Sequence, residues 1–376
     1  MTGQISDDCD KMRILHVITS LRTGGAERVV ADLLPRLRDR GHHVELLLFD
    51  GTVTPLYEQL VREDIKIHSL GRGAVQMWNP LHVFRLGRYL DKKRFDIVHT
   101  HNTPCQLLTA IAAGSSAPVL VTTEHNTFNR RRNWSWYSGI DRWMYGKYSH
   151  VVCVSALAQH NLKQRLGGTV SGLSVIPNGT DLNRFSEAMP ELRLQDEADK
   201  KIVMMAAAFR KQKDQPTLIR AMRHLPEDYR LWLAGDWTLR GDCEKLAASL
   251  GLNERVRFLG FRTDVPALLT ASDVVVLSSH YEGMPLSAIE GMASGKPFIA
   301  SDVDGLRDIV GGAGLLFPQG DDAKLAGLIR QVCEDRDYGA SVAARCRERA
   351  MCYDIMHTVS EYERLYEESL LNVKMI

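Results

Sequence analysis

The residues best placed to do chemistry lie in HYEGMPLSAIEGMASGKP, 280–297, where Glu282 and Glu290 have seven residues between them and follow the apolar run DVVVLSS. A strand, a tight Gly-Met-Pro turn and a helix start are the natural reading. That order puts a phosphate site at the turn, because a helix N-terminus offers unpaired N–H groups and a partial positive charge. One carboxylate can accept hydrogen bonds from a ribose diol and the other can meet sugar hydroxyls. The plainer alternative is one solvated glutamate on a loop and another on a helix face.

Three further groups could join this pair. SLRTGGAERVVADLL sets Gly24 and Gly25 ahead of a helix beginning near Ala26, and two glycines let backbone N–H groups approach a ligand. The spacing of a dinucleotide fingerprint is absent, so a simple tight turn explains the glycines as well. His99, His101 and His125 sit at strand ends, in VHTHN and TEHN. Alternation puts His99 and His101 on one face, and one histidine at most is expected at the reacting centre. A metal site needs a third ligand that the sequence does not single out. Arg210, Lys211 and Lys213 gather before a helix starting around Asp214, where they face a diphosphate or form a solvated basic loop.

The elements that must hold these residues alternate short apolar runs with longer amphipathic ones, the pattern of βα units and mostly parallel sheets. One set of strands comprises 12–19, 43–49, 64–70, 95–101, 118–124 and 149–155; a second comprises 202–208, 229–235, 255–260, 272–279, 296–301 and 314–317. Between them ELRLQDEADKK, 191–201, reads as a linker, which places a first domain at 12–188 and a second at 189–352. The helix 353–374 carries an apolar stripe of Ile355, Val359, Tyr362 and Tyr366, which needs a surface to cover and is expected to cross back to the first domain.

A chain of 376 residues is long enough for two domains, and a formal net charge of +1 gives no basic field for nucleic acid. No apolar run approaches the roughly 20 residues that span a bilayer. The first dozen residues lack the features of a signal peptide, so a cytoplasmic home is expected. Seven scattered cysteines without a Cys-x-x-Cys pair suit reduced thiols in the core.

With these features in place the chain resembles the retaining glycosyltransferases of family four, the glycogen-synthase-like group. The most specific matches are EGMPLSAIE (282–290), IPNGTDLNRF (176–185), GFRTDVPALLTASDVVVLSSHYEG (260–283) and LRTGGAER (21–28). The resemblance implies an α/β GT-B fold, two Rossmann-like doubly wound domains facing each other across a cleft. It implies that Glu290 holds the donor's ribose hydroxyls, that Glu282 lies near the donor sugar, and that backbone groups around Pro285 and Leu286 meet the diphosphate. Lys213 matches the family's diphosphate lysine, Gly25 the first-domain loop, and His125 the active-site histidine; Gly24 and His101 fall on the acceptor side. The family's usual Gly-Arg at the end of the second domain's first strand is Ala207 and Ala208 here, which leaves Arg210 as a substitute guanidinium.

The implied reaction moves a hexose or N-acetylhexosamine from a UDP-sugar to an acceptor hydroxyl with retention, without metal or cofactor. The segment 129–149 mixes five basic residues with three Trp and three Tyr. That composition fits either an anionic bilayer surface or a helix packed on the sheet. The bilayer reading favours a polyprenyl-diphosphate-linked saccharide as acceptor and an enzyme peripheral at the inner face of the cell membrane. A UDP-sugar epimerase and a non-catalytic nucleotide-sugar-binding protein are the alternatives.

Overall fold

The structure, a computed structural model, describes residues 11–22, 24–114, 118–125, 137–167, 172–189 and 197–374. It divides into two compact units, Met1–Asn178 with Ile355–Ile376, and Gly179–Asp354.

The first unit is built on seven strands: β1 (Arg13–Ile18), β2 (His43–Leu48), β3 (Lys66–Ser69), β4 (Ile97–His101), β5 (Val119–Glu124), β6 (His150–Cys153) and β7 (Leu173–Val175). All pair in parallel, in the order β3-β2-β1-β4-β5-β6-β7. Helices cover both faces, so β4 and β5 are buried at every residue. Burial on both sides is why their apolar residues run consecutively, as in IV of β4 and VLV of β5, rather than alternating. On one face the helix Gly25–Asp39 contributes Val30, Leu33, Leu34 and Leu37, and the helix Ile355–Lys374 adds Ile355, Val359, Tyr362, Leu365 and Tyr366. The apolar stripe of that last helix therefore covers the first sheet. Its Glu363 accepts from Arg40 and lies 2.9 Å from His42 Nε2. The opposite face is closed by Leu86, Leu90, Cys105, Leu108, Ala158, Leu162 and Leu166.

The second unit repeats the design with β8 (Lys201–Ala206), β9 (Tyr229–Ala234), β10 (Val256–Gly260), β11 (Val274–Leu277), β12 (Phe298–Ser301) and β13 (Leu315–Phe317), again parallel, in the order β10-β9-β8-β11-β12-β13. In each sheet the winding reverses beside the first strand, between β1 and β4 and between β8 and β11. A doubly wound sheet receives its ligands at the carboxyl ends of such a pair.

The boundary falls at Asn178/Gly179, ten residues before the one read from composition. The short helix Asn183–Ser186 explains the shift, since it packs with the second unit's helices Val265–Ala271 and Leu286–Ala293 and buries Phe185. Thr180 also bridges to Asp354, and its N–H donates to the Tyr353 carbonyl at 3.0 Å. Of the stretch read as a linker, 191–196 lies outside the described residues. Glu197 is fully buried, accepting from Trp232 Nε1 at 3.1 Å and pairing with Arg257, so its end already belongs to the second fold. No helix among the described residues is long and apolar enough to cross a membrane.

Candidate active site

In the second unit the loop after β8 and the turn after β11 are stitched together by their own hydrogen bonds. The Ser278 hydroxyl donates to the carbonyls of Lys213 (3.2 Å) and Asp214 (2.9 Å). The His280 N–H donates to the Gln212 carbonyl at 2.7 Å, and Gln212 Nε2 donates to the Tyr281 carbonyl at 2.9 Å. These bonds deliver Lys213 Nζ to 2.6 Å from Glu282 Oε1. The same oxygen accepts from the Ser279 hydroxyl at 2.6 Å, and Oε2 accepts from Gln212 Nε2 at 3.1 Å. Glu282 is only 5% exposed, and the Lys213 side chain 16%.

Glu282 is thus the anchor of a lysine, a role its sequence context does not show. A buried carboxylate needs compensating donors, and three converge here. Gln212, Ser278 and Ser279 are the residues sequence reasoning missed, and nothing in their spacing marks them. Gly305 is a fourth. At φ +82° it passes so close to the turn that a Cβ would lie 2.4 Å from the Glu282 carbonyl oxygen. The Asp-Gly step of SDVDGLRD, a turn signal, was the available clue.

Beyond the turn, Pro285 is the N-cap of the helix Leu286–Ala293, and no side chain caps that end. The Ala288 N–H donates to the Pro285 carbonyl at 3.1 Å, and the N–H groups before it have no acceptor within the helix. Glu290 stands half-buried on the same helix. Arg210 opens the turn Lys211–Lys213 and lies with its guanidinium 4.5 Å over the Trp237 ring. Together with Lys211, Asp214, Gln215 and His280 it lines a cavity of about 240 Å³. Arg210 has no carboxylate partner among the described residues, so its charge is available to a ligand.

In the first unit the corresponding strand ends carry the glycines and the histidines. Gly24, in extended conformation, is the N-cap of the helix Gly25–Asp39 and offers it no side-chain cap. A Cβ on Gly24 would meet the Glu27 carboxylate at 2.2 Å, whereas Gly25 has open space around it. Three histidines form a chain: His16 Nδ1 lies 3.0 Å from His101 Nε2, and His101 Nδ1 lies 3.0 Å from His125 Nε2. His99 packs against His101, with ring centroids 4.2 Å apart and the planes tilted by 32°. Its nitrogens meet Tyr366 OH (2.6 Å) and Thr123 Oγ1 (2.8 Å). Thr123 in turn meets Tyr362 OH at 2.8 Å. Burial disfavours the imidazolium throughout, lowering His16 to about 3 and His125 to about 4 and holding His99 and His101 well below the usual value. His16 is the histidine that sequence reading passed over. Its signal was the register, because β1 sets His16 opposite His99.

His16, His99 and His101 also bring one nitrogen each within 4.8 Å of one another, the third imidazole a metal centre would need. The nitrogens are spent on each other, on His125, on Thr123 and on Tyr366, and among the described residues only His16 Nε2 of this trio lacks a partner. Just after His101, Asn102 adopts φ +69°, a backbone state that costs about 1–3 kcal/mol in a residue with a side chain and that clusters at functional sites.

Of the segment 129–149, the part up to 136 lies outside the described residues. The helix Tyr137–Tyr145 buries Asp141, Met144 and Tyr145 and leaves Trp143 46% exposed.

Two family models account for most of the chain. Glycosyltransferase Family 4 matches residues 23–184, and Glycosyl transferases group 1 matches residues 190–351. The chain belongs to the family-four glycosyltransferases of GT-B fold, and it is a glycosyltransferase. Among its relatives is the UDP-Gal:alpha-D-GlcNAc-diphosphoundecaprenol alpha-1,3-galactosyltransferase of Escherichia coli, 25% identical over 96% of this chain and 98% of its own. The phosphatidyl-myo-inositol mannosyltransferase of Mycobacterium leprae is 28% identical over 92% of this chain and 93% of its own. Among solved structures, Anabaena Alr3699/HepE in complex with UDP and glucose is similar with a TM-score of 0.83 and 25% identity, covering 95% of this chain and 100% of that one.

Proposed function

We propose that this glycosyltransferase moves a hexose or N-acetylhexosamine from a UDP-sugar, with retention, to a hydroxyl of a lipid-linked or growing saccharide in bacterial surface-polysaccharide assembly. The observation that carries the reading is the Lys213–Glu282 pair, fixed between the ends of β8 and β11 beside an uncapped helix N-terminus. The leaving UDP gathers negative charge in an oxocarbenium-like transition state. Lys213, Arg210 and the N–H groups after Pro285, around Leu286, are preorganised to stabilise that charge as it develops. Glu290 takes the ribose hydroxyls. His125 and Glu282 are assigned to the donor sugar by the family resemblance, with Glu282 acting through Lys213. Gly24, Gly25 and His101 serve the acceptor side. The leaving phosphate accepts the acceptor's proton, so no side chain is needed as base. The names of the Escherichia coli and Mycobacterium relatives support a lipid-linked acceptor, and the HepE complex supports UDP as the leaving group.

A bilayer contact belongs to the same proposal, through 129–149 as its composition suggests and through a second apolar surface of the first unit. Val75, Trp78, Leu81 and Phe84 are 90%, 57%, 55% and 71% exposed within ten residues, and the exposed cations Arg72, Arg85, Arg88 and Lys92 flank them. Apolar side chains flanked by cations suit an anionic membrane surface. Flotation on liposomes containing anionic lipid should recover the wild type, and Trp78→Ser with Phe84→Ser should abolish it. Equal recovery of both proteins would refute this contact.

The function is tested by mass spectrometry of a panel of UDP- and GDP-sugars incubated with a short polyprenyl-diphosphate sugar. Transfer from a UDP-sugar with the α-configuration kept is the expected result. An isomerised UDP-sugar formed without acceptor would establish an epimerase, and UDP binding without turnover a sensor; either overturns the reading.

A further inference from the structure

Arg210 is held by an indole and not by a carboxylate, and the difference decides what its guanidinium can do. A carboxylate partner occupies the N–H fork and cancels the charge. An aromatic face fixes the plane of the guanidinium and leaves both its charge and its in-plane N–H groups available. Arg210 Cζ lies 4.5 Å from the centroid of the Trp237 ring. Among the described residues that guanidinium is the one cation or aromatic ring that meets the indole.

The contact is built by two loops that meet at the carboxyl ends of β8 and β9. Gly235, at φ +144°, passes so close to the loop after β8 that a Cβ on it would lie 2.1 Å from the Ala207 carbonyl oxygen. The Phe209 N–H donates to the Asp236 carbonyl at 3.2 Å, and the Leu239 N–H donates to the Phe209 carbonyl at 3.2 Å. Trp237 falls between Asp236 and Leu239, so these two bonds bring it to Arg210. Its own φ of +157° lies in the region that favours glycine, a costly backbone state for a residue with a large side chain. The ring is 55% exposed, so packing into the core does not account for that cost. Arg210, for its part, needs to be held. It lines the cavity of about 240 Å³ together with Asp214 and Asp242, and a guanidinium released from the indole has carboxylates there to pair with. Its backbone opens the turn of Lys213, whose N–H donates to the Arg210 carbonyl at 2.8 Å.

We propose that Trp237 is a positioning residue for the donor diphosphate: it keeps the Arg210 guanidinium charged, unpaired and fixed in plane, so that its N–H fork is ready for the phosphate oxygens. The identity of that anion rests on the UDP-sugar reading above.

Binding of UDP to the full chain, measured by calorimetry, is compared with binding of uridine, measured by NMR titration, because uridine is the same ligand without its diphosphate. Trp237→Ala should weaken UDP about tenfold, which is about 1.4 kcal/mol and within the range of a partly desolvated cation–π contact, and should leave uridine unchanged. Trp237→Phe keeps an aromatic face and should hold UDP within about threefold of wild type. In an Arg210→Ala background, where UDP is already weakened, Trp237→Ala should add nothing, because the residue it positions is gone. Trp237→Gly suits the backbone at this position and serves if Trp237→Ala fails to fold, with the same selective loss of UDP expected. Equal losses for UDP and uridine would show a merely structural role. Unchanged UDP binding in Trp237→Ala, or losses that add in the double variant, would show that the indole does not act through Arg210. Each of these three results overturns the proposal and leaves the UDP-sugar reading standing, whereas a wild type with no affinity for UDP overturns both.

Discussion

Replacing Lys213 by Met keeps most of the side-chain stem and removes the charge. Glu282, 5% exposed, loses its 2.6 Å partner but keeps the Ser279 and Gln212 donors. Breaking a buried pair from one side costs about 3–5 kcal/mol when the remaining charge is left alone. Two surviving hydrogen bonds to a charged group reduce the loss to about 2–3 kcal/mol. For a unit of this size that lowers Tm by roughly 4–12 °C. Transfer should fall by roughly 100-fold, the worth of about 3 kcal/mol of preorganised charge at the leaving diphosphate. The two effects separate in the double variant Lys213→Met, Glu282→Gln, where no uncompensated charge remains. Its Tm should recover most of the loss while turnover stays roughly 100-fold down. Calorimetry gives Tm, and UDP release with the donor found in the screen gives turnover. A single variant with near-normal turnover, or a double variant that regains it, would show that Lys213 serves the fold alone.

Glu290→Ala should weaken UDP-sugar binding by roughly 10- to 100-fold, the range of one to two hydroxyl bonds to a carboxylate, and an unchanged Kd by calorimetry would remove Glu290 from the donor site. Tyr366→Phe loses only the hydroxyl facing His99 and should destabilise the first unit by about 1 kcal/mol; no change in the unfolding midpoint would mean that bond adds nothing. His16 and His125 titrate near 6.5 in the unfolded chain but at about 3 and about 4 in the fold, because burial disfavours the imidazolium. Their neutral forms contribute fully above about pH 6.5, and that contribution is lost as pH falls toward 4 and then 3. Tm should therefore drop steeply from pH 6.5 to 4, and less steeply in His16→Phe; parallel profiles would exclude His16 from the linkage.

The sheets were legible because parallel strands buried on both faces leave dense runs of Val, Ile and Leu, as in VVVL of β11. The strand-end glycines, histidines and glutamates were legible because doubly wound sheets bring ligands to those ends. Hydrogen-bond partners chosen by tertiary folding were not. Gln212 looks like a residue in a basic loop until β11 brings Glu282 to it. His16 looks like one polar residue in an apolar strand until β1 pairs with β4. The compositional boundary and the contact boundary differ for a related reason. Composition marks where a chain turns charged, whereas Phe185 and Glu197 are held by packing and by Trp232 and Arg257 that lie tens of residues away.

The helix Ile355–Lys374 belongs to the unit whose other residues precede Gly179. A nascent chain therefore completes β1 to β7 long before it can cover the face occupied by Tyr362 and Tyr366. All of Gly179–Asp354 must be synthesised in between, which at about 5–20 residues per second takes roughly 10–35 s. Through that interval Val30, Leu33 and Ile97, with the imidazole of His99, lack part of their final cover. The first sheet is the first to be made and the last to be finished, so chaperone demand during synthesis should centre on this apolar face.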